Sequence, residues 1–171
     1  KTSYIPLLHA NKPWRFCVLY PHLKDAYWLS VNHGMVQEAS RLGVGFDIFE
    51  AGGYPNLARQ IEQLKGCASD EFDAVILGTV SYDGLTPVVQ EISRLKPIIA
   101  VVNDIATTGI TAKASVPWTE MGAAAGRFIA QRHPQDADNP GYATVRYIAN
   151  APHIQQQFVF GHQLAGMHVA Q

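Results

Sequence analysis

The sequence predicts an α/β fold, with a parallel sheet covered by helices on both faces. Three observations carry this. Short apolar runs alternate with amphipathic stretches in the order βαβαβαβ as far as Val102. The runs are continuous and rich in Val, Ile and Leu, as expected of strands buried on both faces. Gly, Pro and Asn punctuate the changeovers. Crossovers between such strands are right-handed almost without exception.

Phe16–Tyr20 (FCVLY) predicts the first strand. Tyr27–Leu42 predicts a helix: Leu29, Met35, Val36, Ala39 and Leu42 fall roughly on one face, and Gly43 supplies the C-terminal stop. Phe46–Phe49 is the second predicted strand. Leu57–Leu64 is the next helix, introduced by Pro55-Asn56 and ending near Gly66. Ala74–Leu77 predicts a third strand between Asp73 and Gly78, Leu85–Leu95 a third helix and Pro97–Val102 (PIIAVV) a fourth strand. After Asp104 the pattern changes. Ala106–Thr111 is small and polar and reads as a crossing segment, and Lys113–Val116 as a short strand. Thr119–Arg132 predicts a helix with Met121, Ala124, Ala125, Phe128 and Ile129 apolar. His133–Tyr142 reads as a loop, Thr144–Ile148 as a strand and Ile154–Ala165 as a helix. The expected division is an N-terminal α/β lobe over 1–112, followed over 113–171 by a crossing and the start of a second lobe.

Composition narrows the function classes. Of 171 residues, 47% are apolar and 16% charged, which suits a chain with a real core. A net charge of −1 leaves no electrostatic footprint for nucleic acid or an anionic membrane. No apolar run is long enough to span a bilayer. No signal peptide is recognised, so an exported form is expected to begin at or near its mature end. Cys17 and Cys67 leave two readings open: small buried residues, or one disulfide in an oxidising compartment.

In an open parallel sheet, ligands bind beyond the carboxyl ends of the strands. Those ends carry Pro21–Trp28, Glu50–Pro55, Gly78–Asp83 and Asn103-Asp104. Tyr27 and Trp28 open the first helix, Tyr54 sits in a Gly-Gly-Tyr-Pro turn, Tyr82 follows the third strand, and Trp118 precedes the helix over 119–132. Any one of these rings reads as a helix cap or lobe-edge filler. Trp28, Tyr54 and Trp118 together map near the ligand edge, where aromatic faces suit a methylammonium group or a stacked sugar ring. Asp25 reads either as a helix N-terminal carboxylate or as a ligand contact. No catalytic arrangement emerges. The seven histidines are scattered, with His162 and His168 too far apart for one helical face, and no His-Glu-x-x-His, Cys-x-x-Cys or Gly-x-Ser-x-Gly occurs. Gly43-x-Gly45 lies between helix and strand, the wrong side for a phosphate loop, and no P-loop lysine follows Gly52-Gly53. We therefore expect no enzyme, no cofactor and no metal.

The stretch Tyr27-Trp28-x-x-Val31-x-x-Gly34, with Glu38-Ala39 and Gly43, is similar to the first helix of type I periplasmic binding proteins, the ribose-binding-like superfamily. Gly78, Asp104 and the crossing before Val116–Gly122 fit the same pattern. Longer strings bring the chain nearer to the trimethylamine-N-oxide sensor proteins of that superfamily: Leu19–Pro21, Leu23–Asn32, Glu50–Asn56 and Ile76–Val80. They lie in a resemblance covering most of residues 14–133. It implies two lobes closing on a ligand, the first largely present here and the second only partial. It also implies an aromatic cage of Trp28, Tyr54 and Trp118 for trimethylamine N-oxide, with Asp25 and Tyr27 beside it, and a Cys17–Cys67 disulfide. The implied location is periplasmic, and the implied partner is the sensor domain of a membrane histidine kinase. Departures lie near the end, where Asn150-Ala151-Pro152-His153 stands in place of a Gly-rich turn and the rest of the second lobe is absent.

Other readings compete. A small sugar would use Asp25, Asn103 and Asp104, but no arginine stands at the strand ends. A repressor effector core of the same fold would need a helix-turn-helix before Pro13, and twelve residues are too few. An enzyme lacks a nucleophile–base pair. On the cage reading, Trp28→Ala is expected to weaken binding severely while leaving the fold intact.

Overall fold

The computed structural model describes residues 5–117 together with 121, 124, 127 and 128. The elements are β1 (Arg15–Tyr20), α1 (Ala26–Leu42), β2 (Gly45–Glu50), α2 (Leu57–Gly66), β3 (Ala74–Leu77), α3 (Thr86–Ile92), β4 (Ile98–Val102) and β5 (Ala112–Ser115). The strands form one sheet in the order β2-β1-β3-β4-β5, and every pairing is parallel. In register, Leu19 lies beside Phe49 and Leu77, and Leu77 beside Ala100. The α/β class and the strand–helix alternation read from the sequence therefore hold.

One face of the sheet carries Cys17, Leu19, Val75, Leu77, Ile98 and Ala100. They pack with Leu64 of α2 and Val88, Val89 and Ile92 of α3 in a single buried cluster. The opposite face carries Val18 and Tyr20, over which α1 lies: the Tyr20 hydroxyl donates to Met35 Sδ at 2.7 Å, and the Tyr20 and Trp28 rings are 5.0 Å apart. Burial pushes the Tyr20 phenol up to about 12.

The inner row of α1 is Trp28, Val31, Asn32, Met35, Ala39 and Leu42. Leu29 and Val36, which the apolar pattern places on the packed face, are about half exposed. The bulk of Trp28 sets the rotation of the helix, and the residues one step along face outward. Asp25 caps the helix, and Gly43 ends it at φ 71, where a residue with a side chain would be strained.

Burial on both faces holds for the central strands β1 and β3. It does not hold for β2 and β5, which are the sheet edges; β5 is exposed throughout. The third helix is shorter than the expected Leu85–Leu95. Residues from Ser93 onward turn, with the N–H groups of Leu95 and Lys96 both donating to the Ile92 carbonyl.

Cys17 of β1 and Cys67, which caps the end of α2, are joined in a disulfide with Cα atoms 5.7 Å apart. It fastens α2 to the central strand.

The chain divides into two compact units, Lys1–Ser115 and Val116–Gln171. Because β5 pairs with β4, the boundary expected between 112 and 113 falls inside a strand of the first sheet. Of the helix expected over 119–132, the described residues Met121, Ala124, Arg127 and Phe128 are helical. The loop, strand and helix expected over 133–165 lie outside the described residues, as does Trp118.

Candidate functional site

Four loops meet at the carboxyl edge of the sheet, those following β1, β2, β3 and β4. Asp25 stands at the N-cap of α1 in an extended conformation, and its Oδ1 accepts from the Trp28 N–H at 2.9 Å. Its other oxygen lies 3.7 Å from His22 Nε2, and the side chain is half exposed. The helix-capping reading of Asp25 thus describes one carboxylate oxygen, and the other faces the loop.

Capping fixes the first turn of α1 and thereby Trp28. The indole is only 1% exposed. It tilts against Tyr20 and meets the edge of Tyr27 at 6.1 Å. On its far side it lies over Gly78, where an added Cβ would stand 2.5 Å from Cη2 and 2.9 Å from Cζ3. Glycine at 78 is what lets the ring reach across the sheet edge. Trp28 Nε1 donates to the Tyr54 hydroxyl at 3.4 Å.

Tyr54 is carried by a turn that needs its glycines: Gly52 and Gly53 have φ of 86 and 141. The Gly53 N–H donates to the Pro21 carbonyl at 2.8 Å, and Asn56 Nδ2 to the Ala51 carbonyl at 2.9 Å. The loops after β1 and β2 are therefore bonded to each other, and His22 meets the Tyr54 ring edge-on at 5.6 Å. Tyr27 is half exposed beside this pair. Burial pushes its phenol up, and the Tyr54 phenol adds to the effect.

The loops after β3 and β4 are held by buried amides. Gln60 of α2, fully buried, donates to the Gly78 carbonyl at 3.0 Å and accepts from the Val80 N–H at 2.8 Å. Asn103 is 3% exposed; its Nδ2 donates to the Thr79 carbonyl at 2.7 Å and to the Tyr54 hydroxyl at 3.4 Å. It is aimed by an unusual backbone: Val102 has φ 65, and the Asn103 N–H donates to the Val101 carbonyl at 2.8 Å. This i-to-i+2 bond with a positive central φ is a strained γ-turn, rare for a β-branched residue. Asp104, the next residue, pairs with Lys113. Tyr82 lies exposed on the loop after β3.

Of the site residues read from the sequence, Asp25, Tyr27, Trp28 and Tyr54 come together in one cluster, while Trp118 lies outside the described residues. Trp28 is also among the largest fully buried side chains. Truncating it to Ala would remove core packing, at a cost of about 3–5 kcal/mol. The expectation that this substitution leaves the fold intact is therefore corrected: the ring belongs to the core and to the loop cluster alike. Sequence reasoning missed the parts played by Gly78, Thr79 and Gln60. Gln60 left a signal, a polar residue on the same helical face as Leu57 and Leu64. Val102 left none. Among the described residues there is no group of three or more His, Cys, Asp or Glu side chains that could hold a metal ion. No described helix is long and apolar enough to cross a membrane.

Residues 16–165 match the family described as periplasmic binding protein domain. The chain is 40% identical over 126 residues to periplasmic protein TorT of Escherichia coli (strain K12), an alignment spanning 72% of this chain and 36% of that one. The chain thus spans about a third of the length of the curated relatives it matches. Among solved structures it is similar to an ABC transporter solute binding protein from Bradyrhizobium sp. BTAi1 with bound Bis-Tris. That match has 37% identity and a TM-score of 0.71, covering 99% of this chain and 52% of that one. It is also similar to TorT in complexes with the TorS sensor domain. Without ligand the identity is 40% and the TM-score 0.60, over 70% of this chain and 42% of that one. In the presence of TMAO they are 31% and 0.62, over 92% and 54%. The strings from Leu19 to Val80 that suggested such a protein build the loops after β1, β2 and β3, and Asn103 of the fourth loop lies outside them. This chain belongs to the periplasmic binding protein domain family.

Proposed function

We propose that this chain supplies one wall of the ligand cleft of a periplasmic sensor protein that binds trimethylamine N-oxide. Closure on the ligand is read by the sensor domain of a membrane histidine kinase. The role is binding rather than catalysis, and no cofactor takes part. The observation that supports the reading is the contact of Trp28 with Tyr54 at the carboxyl edge of the sheet, in a chain 40% identical to TorT over 126 residues. The TorS sensor domain complex of TorT obtained with TMAO supports the ligand and partner by analogy.

The chemistry is consistent with this assignment. A trimethylammonium head is attracted to aromatic faces at roughly 0.5–2 kcal/mol per ring, more when water is excluded. Tyr54 and Trp118 would supply two rings and Trp28, which is sealed in this structure, a third once a face is uncovered to the ligand, with Asp25 and Tyr27 beside them. On this reading the residues beyond β5, 116–171, hold the crossing and the beginning of the second lobe. Ligand binding passes a signal only if the closed form binds it better than the open one.

Calorimetric titration of the full-length protein with trimethylamine N-oxide, ribose and glycine betaine tests the proposal. Saturable heat with the oxide and none with ribose is expected. Binding of ribose but not of the oxide would transfer the fold to a sugar ligand and discard the cage.

A further inference from the structure

We infer that Asn103 is a positioning residue, held by the γ-turn at Val102, that fixes Tyr54 against Trp28 and so sets the geometry of the aromatic pair before ligand arrives. This deepens the proposed function and rests on it for the identity of the ligand, but not for the positioning itself.

The γ-turn folds the chain back at the end of β4, and Asn103 is buried at the sheet edge instead of continuing outward. The amide orientation is fixed by chemistry. A backbone carbonyl only accepts, so the group 2.7 Å from the Thr79 oxygen is Nδ2. The same nitrogen faces the Tyr54 hydroxyl, which in turn faces Trp28 Nε1. One side chain therefore joins the loops after β2, β3 and β4, and through Tyr54 reaches the ring carried by α1. The loop after β3 is held independently by Gln60, so Asn103 bonds to a fixed partner and passes that rigidity to Tyr54. A β-branched residue kept at positive φ fits this role, because such strain persists where the surroundings over-determine it and gathers at ligand-binding edges.

The test uses Asn103→Leu in the full-length protein, a change of similar size that removes the amide and leaves nothing that can bond to the Tyr54 hydroxyl. Two readouts separate positioning from general structure. The first is hydrogen exchange of the Trp28 indole N–H by NMR without ligand, expected to quicken by about fivefold to tenfold as the Tyr54 anchor loosens. The second is the ratio of affinities for trimethylamine N-oxide and glycine betaine, expected to fall by a similar factor because a misplaced ring discriminates less well. A purely structural residue would lower both affinities together and leave the ratio unchanged. If Asn103→Leu does not fold, Asn103→Ala removes the amide without added bulk and leaves the Tyr54 hydroxyl in place, and faster Trp28 exchange is again expected. Unchanged exchange in whichever variant folds overturns the inference. If the native protein does not bind the oxide, the proposed function fails, and the exchange measurement still decides the role of Asn103.

Discussion

Gly78→Ala perturbs the Trp28 ring without removing an aromatic side chain. Gly78 does not adopt a positive φ, so alanine is conformationally permitted there. The obstacle is space. The new methyl would stand 2.5 Å and 2.9 Å from two indole carbons and 3.2 Å from the Leu19 carbonyl oxygen, where carbon contacts prefer about 3.5–4.0 Å. Relief requires the ring to move by about 1 Å. Tyr20 blocks it on one side, and the indole is already sealed from solvent. The backbone cannot yield easily either. The Gly78 N–H is bonded to Leu19 and its carbonyl to Gln60. Overpacking of this kind costs about 1–3 kcal/mol, offset by about 0.4–1 kcal/mol from a less flexible unfolded chain. The net loss is then about 1–2 kcal/mol, a factor of roughly 5–30 in the folding equilibrium. Urea unfolding followed by circular dichroism measures the stability, and titration with trimethylamine N-oxide measures the site. Both should suffer, and both should recover in part with Trp28→Phe, whose smaller ring leaves room for the methyl. A Gly78→Ala protein with native stability and affinity would refute the packing argument.

Reduction of the Cys17–Cys67 bond, which spans 50 residues, should lower stability by up to about 4 kcal/mol on the chain-entropy estimate; denaturant unfolding with and without reductant gives the value. Trp28→Phe should retain the fold better than Trp28→Ala, which should shift the midpoint by an amount equivalent to about 3–5 kcal/mol; thermal and urea melts of the pair check this. Lys12 and the Arg15 N–H hold the Asp73 carboxyl below its ordinary 3.8. The stability from this contact is present above pH 3.8 and is lost as pH falls through the depressed native value; Asp73→Asn should flatten the acid limb of a stability–pH curve in that window. Tyr20 works in the opposite direction. Its phenol is pushed from 10 to about 12, so stability should decline as pH rises above 10 and level off past 12, and Tyr20→Phe should remove that slope.

The sheet was readable because its strands are continuous apolar runs between strong breakers, and Gly43 does stop α1 where the sequence says. The rotation of α1 was not, since Leu29 and Val36 are as apolar as the residues that pack. Counting apolar positions cannot see that one indole wedged between Tyr20 and Gly78 fixes the whole helix. The same limit applies to the site. Trp28 and Tyr54 stood out as aromatics at strand ends, but their contact depends on an absent side chain at 78 and on Asn103. That placement follows from a γ-turn at Val102, and nothing in a Val-Val-Asn-Asp run announces a left-handed valine. Gln60 was legible in principle, because a polar residue on an apolar helical face must find partners, and it finds two backbone groups of the loop after β3.

The most direct test of the cage is a crystal structure of the full-length protein with trimethylamine N-oxide bound. The account predicts the methylated nitrogen within about 6 Å of the ring centroids of Trp28, Tyr54 and Trp118. A ligand bound elsewhere, with Trp28 and Tyr54 not facing it, would contradict the account.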